Sequence, residues 1–133
     1  MYLTFLTEQE KIYFLGLAYN IAISDGEYSN EEKNIIDNYC KEMNINFTNK
    51  MIQPTDFLIS KLSLTSDERT KKIILFEIIG LAMIDNHFDN EEKNIIDKMI
   101  LDFKLNESLK LKYEELVNKY MCLQNEINQF VIK

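Results

Sequence analysis

The chain has 133 residues, 46% hydrophobic and 28% charged, with 15 basic against 22 acidic side chains and a net charge of −7. One domain with a core of its own fits that length, whereas three glycines and one proline are too few for the many turns of a sheet-rich fold. The acidic balance argues against nucleic acid, which needs a basic footprint, and no run approaches the ~18 consecutive apolar residues of a membrane span.

Thr7 and Glu10 form a Thr-x-x-Glu capping box, which predicts a first helix over about Glu8 to Ser24. Its apolar face is Ile12, Leu15, Ala18, Tyr19 and Ala22, and Gly26 is placed to end it in the left-handed conformation. Ser29 and Glu32 repeat the capping box before a second stripe, Ile35, Ile36, Tyr39, Cys40 and Met43, which stops at Asn44. Pro54 breaks the chain or opens a short helix through Leu62. Thr65 and Glu68 then read as the box opening a long helix towards Ile84. That helix is apolar on most sides, from Ile73 to Ile84, and so belongs in the middle of the fold. Asp89 with Glu92 caps the next helix, whose stripe is Ile95, Ile96, Met99, Ile100 and Phe103. Asn106 caps another, carrying Leu109, Tyr113, Leu116, Val117 and Tyr120; a last short helix holds Ile127, Phe130 and Val131. Nothing alternates with period two, so the expected fold is all-α, a single domain of about six or seven helices, without the heptad length of a coiled coil.

The chain contains a repeat. Residues 30–37 and 90–97 both read NEEKNIID, an offset of 60. At the same offset Ala22 meets Ala82, Asp25 meets Asp85 and Asn46 meets Asn106, while Tyr28 with Phe88 and Ile45 with Leu105 keep apolar character. The reading is a duplicated helix–loop–helix unit, approximately residues 8–62 and 66–122, sharing one core.

The loops that join the paired helices carry the candidate chemistry. Ser29, Asp89 and the glutamates after them suit helix N-termini, where the macrodipole favours negative charge. Asp25 and Asp85 do not, since each follows a helix and faces the negative end of its dipole. Their partner is Lys33 or Lys93, a backbone donor across the loop, or a divalent cation, a hard ion that takes carboxylate oxygens; for the cation the candidate ligands are Asp25 and Glu32, and after them Asp85 and Glu92. The tight Gly26 loop folds Glu32 back towards Asp25, and Glu27 and Glu31 add charge. The competing reading pairs Asp25 with Lys33 and leaves Glu32 on its own cap. An EF-hand is excluded: counted from Asp25, position six is Asn30 instead of Gly and position twelve is Ile36 instead of Glu.

Enzyme chemistry finds little to work with. The one histidine, His87, has no Glu-x-x-His partner of the di-iron type. Cys40 lies on an apolar stripe, Cys122 is read at the end of its helix, and neither has metal or disulfide spacing. The expected setting is cytoplasmic, with reduced thiols; Met1 to Thr7 lacks the basic region of a signal peptide.

The apolar helix leading into Asp25-Gly26-Glu27-Tyr28-Ser29 and then Glu32 resembles the tellurite-resistance TerB family. The resemblance covers about residues 8–122 and implies an all-helical fold with a degenerate duplication. It also implies a non-enzymatic, stress-related module touching metal ions or partner proteins, with its acidic positions at Asp25 and Glu32 and, through the repeat, at Asp85 and Glu92. The second loop departs from the pattern, with Asn86 for Gly, His87 for Glu and Asp89 for Ser. The alternative is a protein-interaction domain, co-chaperone-like or scaffolding, whose acidic loops are structural and whose acidic faces meet a basic partner.

Overall fold

Residues 1–24, 26, 28–84 and 89–133 are described by the computed structural model. The helices are α1 (Glu8–Ala22), α2 (Asn30–Met43), α3 (Thr55–Thr65), α4 (Glu68–Met83), α5 (Asn90–Phe103) and α6 (Glu107–Val131), with 3-10 turns at Leu3–Phe5 and Asn49–Met51. The fold is all-α, a single compact domain, and no strand occurs among the described residues. No helix among them is long and apolar enough to cross a membrane.

Capping explains where most helices begin. The Thr7 hydroxyl accepts from Glu10 N–H at 3.2 Å and the Glu10 carboxylate accepts from Thr7 N–H at 2.9 Å. Ser29 and Glu32 exchange the same two bonds, each at 3.1 Å. The start of α4 differs from the sequence expectation. Thr65 is the last residue of α3, with its hydroxyl donating to the Lys61 carbonyl at 2.8 Å. The cap of α4 is Asp67, whose carboxylate accepts from Thr70 N–H at 2.8 Å. A carboxylate at a helix N-terminus gains from the dipole as well as the hydrogen bond; that bond holds the Asp67 carboxyl below its ordinary pKa. α1 also stops at Ala22, two residues before Ser24, and Gly26 takes a φ of +82° in the turn beyond.

α6 corrects a second expectation. It runs unbroken for 25 residues, so Ile127, Phe130 and Val131 belong to it and Cys122 lies inside it. Neither glycine nor proline occurs between Glu107 and Val131 to interrupt it.

α1 and α4 form the middle of the molecule. α1 packs against α2, α3 and α4, while α4 packs against α1, α5 and α6. Phe14, Leu15, Leu17 and Ala18 of α1 meet Ile74, Leu75, Ile78 and Ile79 of α4 in one core, all of them fully buried. Gly16 is required by a close approach: a Cβ there would run into the Met51 carbonyl and crowd Leu58. Glu10 is buried too, but satisfied, since its second oxygen accepts from the Ser66 hydroxyl at 2.7 Å and ties the start of α1 to the end of α3.

The ends of α2 and α5 match at the repeat offset. Asn44 (φ 54°, ψ 50°) and Lys104 (φ 57°, ψ 40°) are both left-handed. Ile45 N–H bonds the Cys40 carbonyl and Leu105 N–H the Ile100 carbonyl, each at 3.0 Å, while Asn44 N–H and Lys104 N–H reach Lys41 and Leu101. Both are Schellman ends, which pair an apolar residue after the helix with one in its last turn.

Candidate functional site

The acidic loops are described in part. Glu32 and Glu92 are each 3% exposed in the first turns of α2 and α5. Glu32 is held in the capping box with Ser29; Glu92 N–H donates to the Asp89 carboxylate at 2.8 Å. The Lys33 ammonium sits 5.3 Å from the centre of the Tyr28 ring. Asp25 and Asp85, expected with Glu32 and Glu92 as cation ligands, lie outside the described residues, as do Glu27 and residues 86–88. Among the described residues, no three His, Cys, Asp or Glu side chains converge in a way that would hold a metal.

A broad concavity lies elsewhere. It is an open groove of about 1460 Å³ bounded by the N-terminal residues, α2, α4 and α6. Ile35 and Tyr39 contribute from α2, Ile73, Phe76 and Gly80 from α4, and Tyr113, Leu116, Val117 and Tyr120 from α6. Phe76 and Tyr113 meet edge to face, 5.2 Å apart. Tyr39 is buried and donates its hydroxyl proton to the Glu77 carbonyl at 3.1 Å. Burial, then the nearby Glu77 and Glu42 charges, pushes its phenol well above the ordinary value, so it stays a donor at any physiological pH.

The acidic groups in the groove are spoken for. Glu42 and Glu77 accept from the Met1 ammonium at 2.9 and 3.0 Å. Glu42 also accepts from Leu3 N–H at 2.8 Å and Glu77 from Tyr2 N–H at 3.4 Å. Burial opposes charge on the Met1 amine, but the bonds to Glu42 and Glu77 outweigh it and raise its pKa. At the rim, the Arg69 guanidinium lies 4.2 Å from the centre of the Phe5 ring. What remains open in the groove is predominantly apolar and aromatic surface.

α6 continues this surface past the body of the protein. Among its residues only Val117 is buried. Tyr120 and Leu123 are each 55% exposed, and Phe130 is 84% exposed.

Sequence reasoning missed Glu42, Glu77 and the groove itself. The available signal was Glu77, a single carboxylate within an otherwise apolar stretch of α4. Cys40 is half-buried, and burial pushes its thiol pKa up, the opposite of what an activated nucleophile needs.

Compared with protein-family models, curated proteins and solved structures, the chain has no match in any of the three.

Proposed function

We propose that this chain is a non-enzymatic helical interaction module, TerB-like in its repeat and its Asp25-Gly26-Glu27-Tyr28-Ser29 sequence, that works by receiving an apolar helix in its groove. The observation that carries the reading is the groove's chemistry. An aromatic and aliphatic lining with its few carboxylates already bonded suits an amphipathic helix, which is recognised through apolar anchors spaced along one face. A polar metabolite would need free convergent polar groups.

The test is a titration with a leucine-rich amphipathic helical peptide, monitored by amide chemical shifts. Shifts are expected at Ile35, Ile73 and Gly80 and are lost in Ile73→Glu. A peptide that shifts none of these residues when the groove is free of any other helix sinks the reading.

A second reading, cation binding by the acidic loops, rests on the sequence. Asp25 and Asp85 recur at the repeat offset, each after the apolar run of a helix expected from sequence, where the expected dipole disfavours a carboxylate. It belongs to the stress-module expectation carried by the TerB resemblance, and a metal screen by thermal shift tests it.

A further inference from the structure

We infer that the helix received by the groove is α6 of a second copy of this chain, lying antiparallel, so that the protein is a two-fold homodimer; this rests on the groove reading. The first observation is spacing. Leu109, Tyr113, Leu116, Tyr120, Leu123, Ile127 and Phe130 succeed one another at alternating intervals of four and three residues. That is the seam of a coiled-coil helix over about three heptads, which corrects the expectation that no heptad run of that length occurs. Two separate helices would split this seam; the continuity of α6 joins its halves.

The second observation is that the seam is used over half its length only. Tyr113 packs on Phe76 of α4. From Leu116 onward the seam residues are 38–84% exposed. Between Tyr120 and Ile132 the one charged side chain is Glu126, in a protein that is 28% charged. Depletion of charge around aromatic and aliphatic anchors marks the core of an interface. The exposed apolar side chains on and beside the seam from Leu116 to Val131 present on the order of 600 Å², towards the ~800 Å² per partner of a standard interface. A two-fold contact lets each copy give its distal α6 and receive its partner's, burying both surfaces with one self-complementary interface.

The third observation sets the direction. With the seam taken as the a and d positions, the flanking g positions are Lys112, Lys119, Glu126 and Lys133, and the e positions Lys110, Val117, Gln124 and Val131. Antiparallel helices pair g with g. The register that stacks Tyr120 on Leu123 of the partner subunit, and Leu116 on Ile127 of the partner subunit, also sets Lys119 beside Glu126 of the partner subunit. Symmetry makes that ion pair twice. A parallel pair would match g with e, placing Lys119 against Gln124 and Glu126 against Val131, with no opposite charges. Lys119 now holds Glu115 at 2.8 Å, with both side chains more than half exposed, a contact of little strength that does not oppose the new one. The same register puts Phe130 of the partner subunit against Tyr113, inside the groove.

The experiment is sedimentation equilibrium of the full chain across a concentration series up to about 200 µM, a range that captures any dimer of micromolar affinity. The wild type is expected at twice the chain mass. Leu123→Asp is expected as a monomer with an intact helical spectrum, because Leu123 is outside the core. Lys119→Glu and Glu126→Lys should each weaken the dimer about tenfold, and the double variant should recover most of that loss. A wild-type monomer at the top of the series overturns the inference, as does a Leu123→Asp dimer. Failure of the double exchange to rescue overturns the antiparallel register. The amphipathic peptide is then titrated into Leu123→Asp, whose groove is free. Groove shifts there, with a monomeric wild type, remove the second copy and leave the groove reading standing; no shifts remove both.

Discussion

The two halves of the repeat share their helix ends and differ in the helix that each half leads into. Residues 8–45 and 68–105 each present two helices, with matching caps at Ser29 and Asp89 and matching Schellman ends at Asn44 and Lys104. After the first half comes α3, 11 residues long, which folds back onto α1 and α5. After the second comes α6, 25 residues long, which packs on α4 and then leaves the body. The first half is therefore closed, and α1 is hemmed in by α2, α3, α4 and the Asn49–Met51 turn. The second is open, with a groove beside α4 and an apolar helix beyond it. Local helix ends are set by a few neighbouring residues and survive duplication; the contacts of the next helix are set by its length and are free to diverge.

The largest expected effect lies where the halves are alike. Ala18 and Ile78 occupy equivalent positions in α1 and α4, and both are fully buried. Ala18→Asp and Ile78→Asp each place an unpaired charge in the shared core, at about 3–5 kcal/mol or more, which approaches the whole stability of a small domain. Both variants are expected to lose the cooperative thermal transition seen by circular dichroism. A soluble Ile78→Asp protein with a sharp transition would show that α4 is not central.

The next effect separates the halves. Gly16 on the closed side faces the Met51 carbonyl, whereas a Cβ at Gly80 on the groove side meets nothing within 4 Å. Gly16→Ala is expected to lower stability by about 1–3 kcal/mol through overpacking. Gly80→Ala is expected to raise it by up to about 1 kcal/mol through helix propensity. Urea denaturation of the two variants measures the difference, and equal signs would mean that the halves are equally packed.

The acidic turns give a third, smaller contrast. Ser29→Ala removes the cap of α2 and should cost about 1 kcal/mol, while Glu32→Gln should cost little, since glutamine also completes a capping box. The cation reading adds a separate expectation. Millimolar Ca²⁺, Mg²⁺, Mn²⁺ or Zn²⁺ should raise the melting temperature of the wild type by linkage and leave Asp25→Asn unmoved. A flat response to all four ions removes the cation from the loop.

Much of the fold is legible in the sequence because its signals are local. Thr7 with Glu10 and Ser29 with Glu32 are three residues apart, and a box of that spacing needs no tertiary information. The start of α4 is ambiguous in sequence because Thr65 and Asp67 both offer a capping oxygen, and only the chain's path after α3 decides between them. The continuity of α6 is carried by the four-three spacing of its apolar residues from Leu109 to Phe130, a signal that dividing the segment after Tyr120 overlooks. The groove cannot be read at all: it is space left between α2, α4, α6 and the N-terminal turn, and no short segment encodes it. Two of its carboxylates, Glu42 and Glu77, lie on different helices and meet through the Met1 ammonium.

The finest contrast is between the two left-handed helix ends. An L-residue other than Gly or Asn pays roughly 1–2 kcal/mol in that conformation, because its Cβ crowds the following carbonyl. Asn44 belongs to the tolerant class and Lys104 does not, although the two have nearly the same dihedrals. Glycine removes the crowding at either site but loses more backbone freedom on folding, by roughly 0.5–1 kcal/mol. At Lys104 the relief exceeds the entropic loss, so Lys104→Gly should gain about 0.5–1 kcal/mol. At Asn44 there is little crowding to relieve, so Asn44→Gly should be neutral or slightly destabilising. Urea midpoints for the two single variants decide it, and a gain at Asn44 as large as that at Lys104 would show that residue type is not what separates these ends.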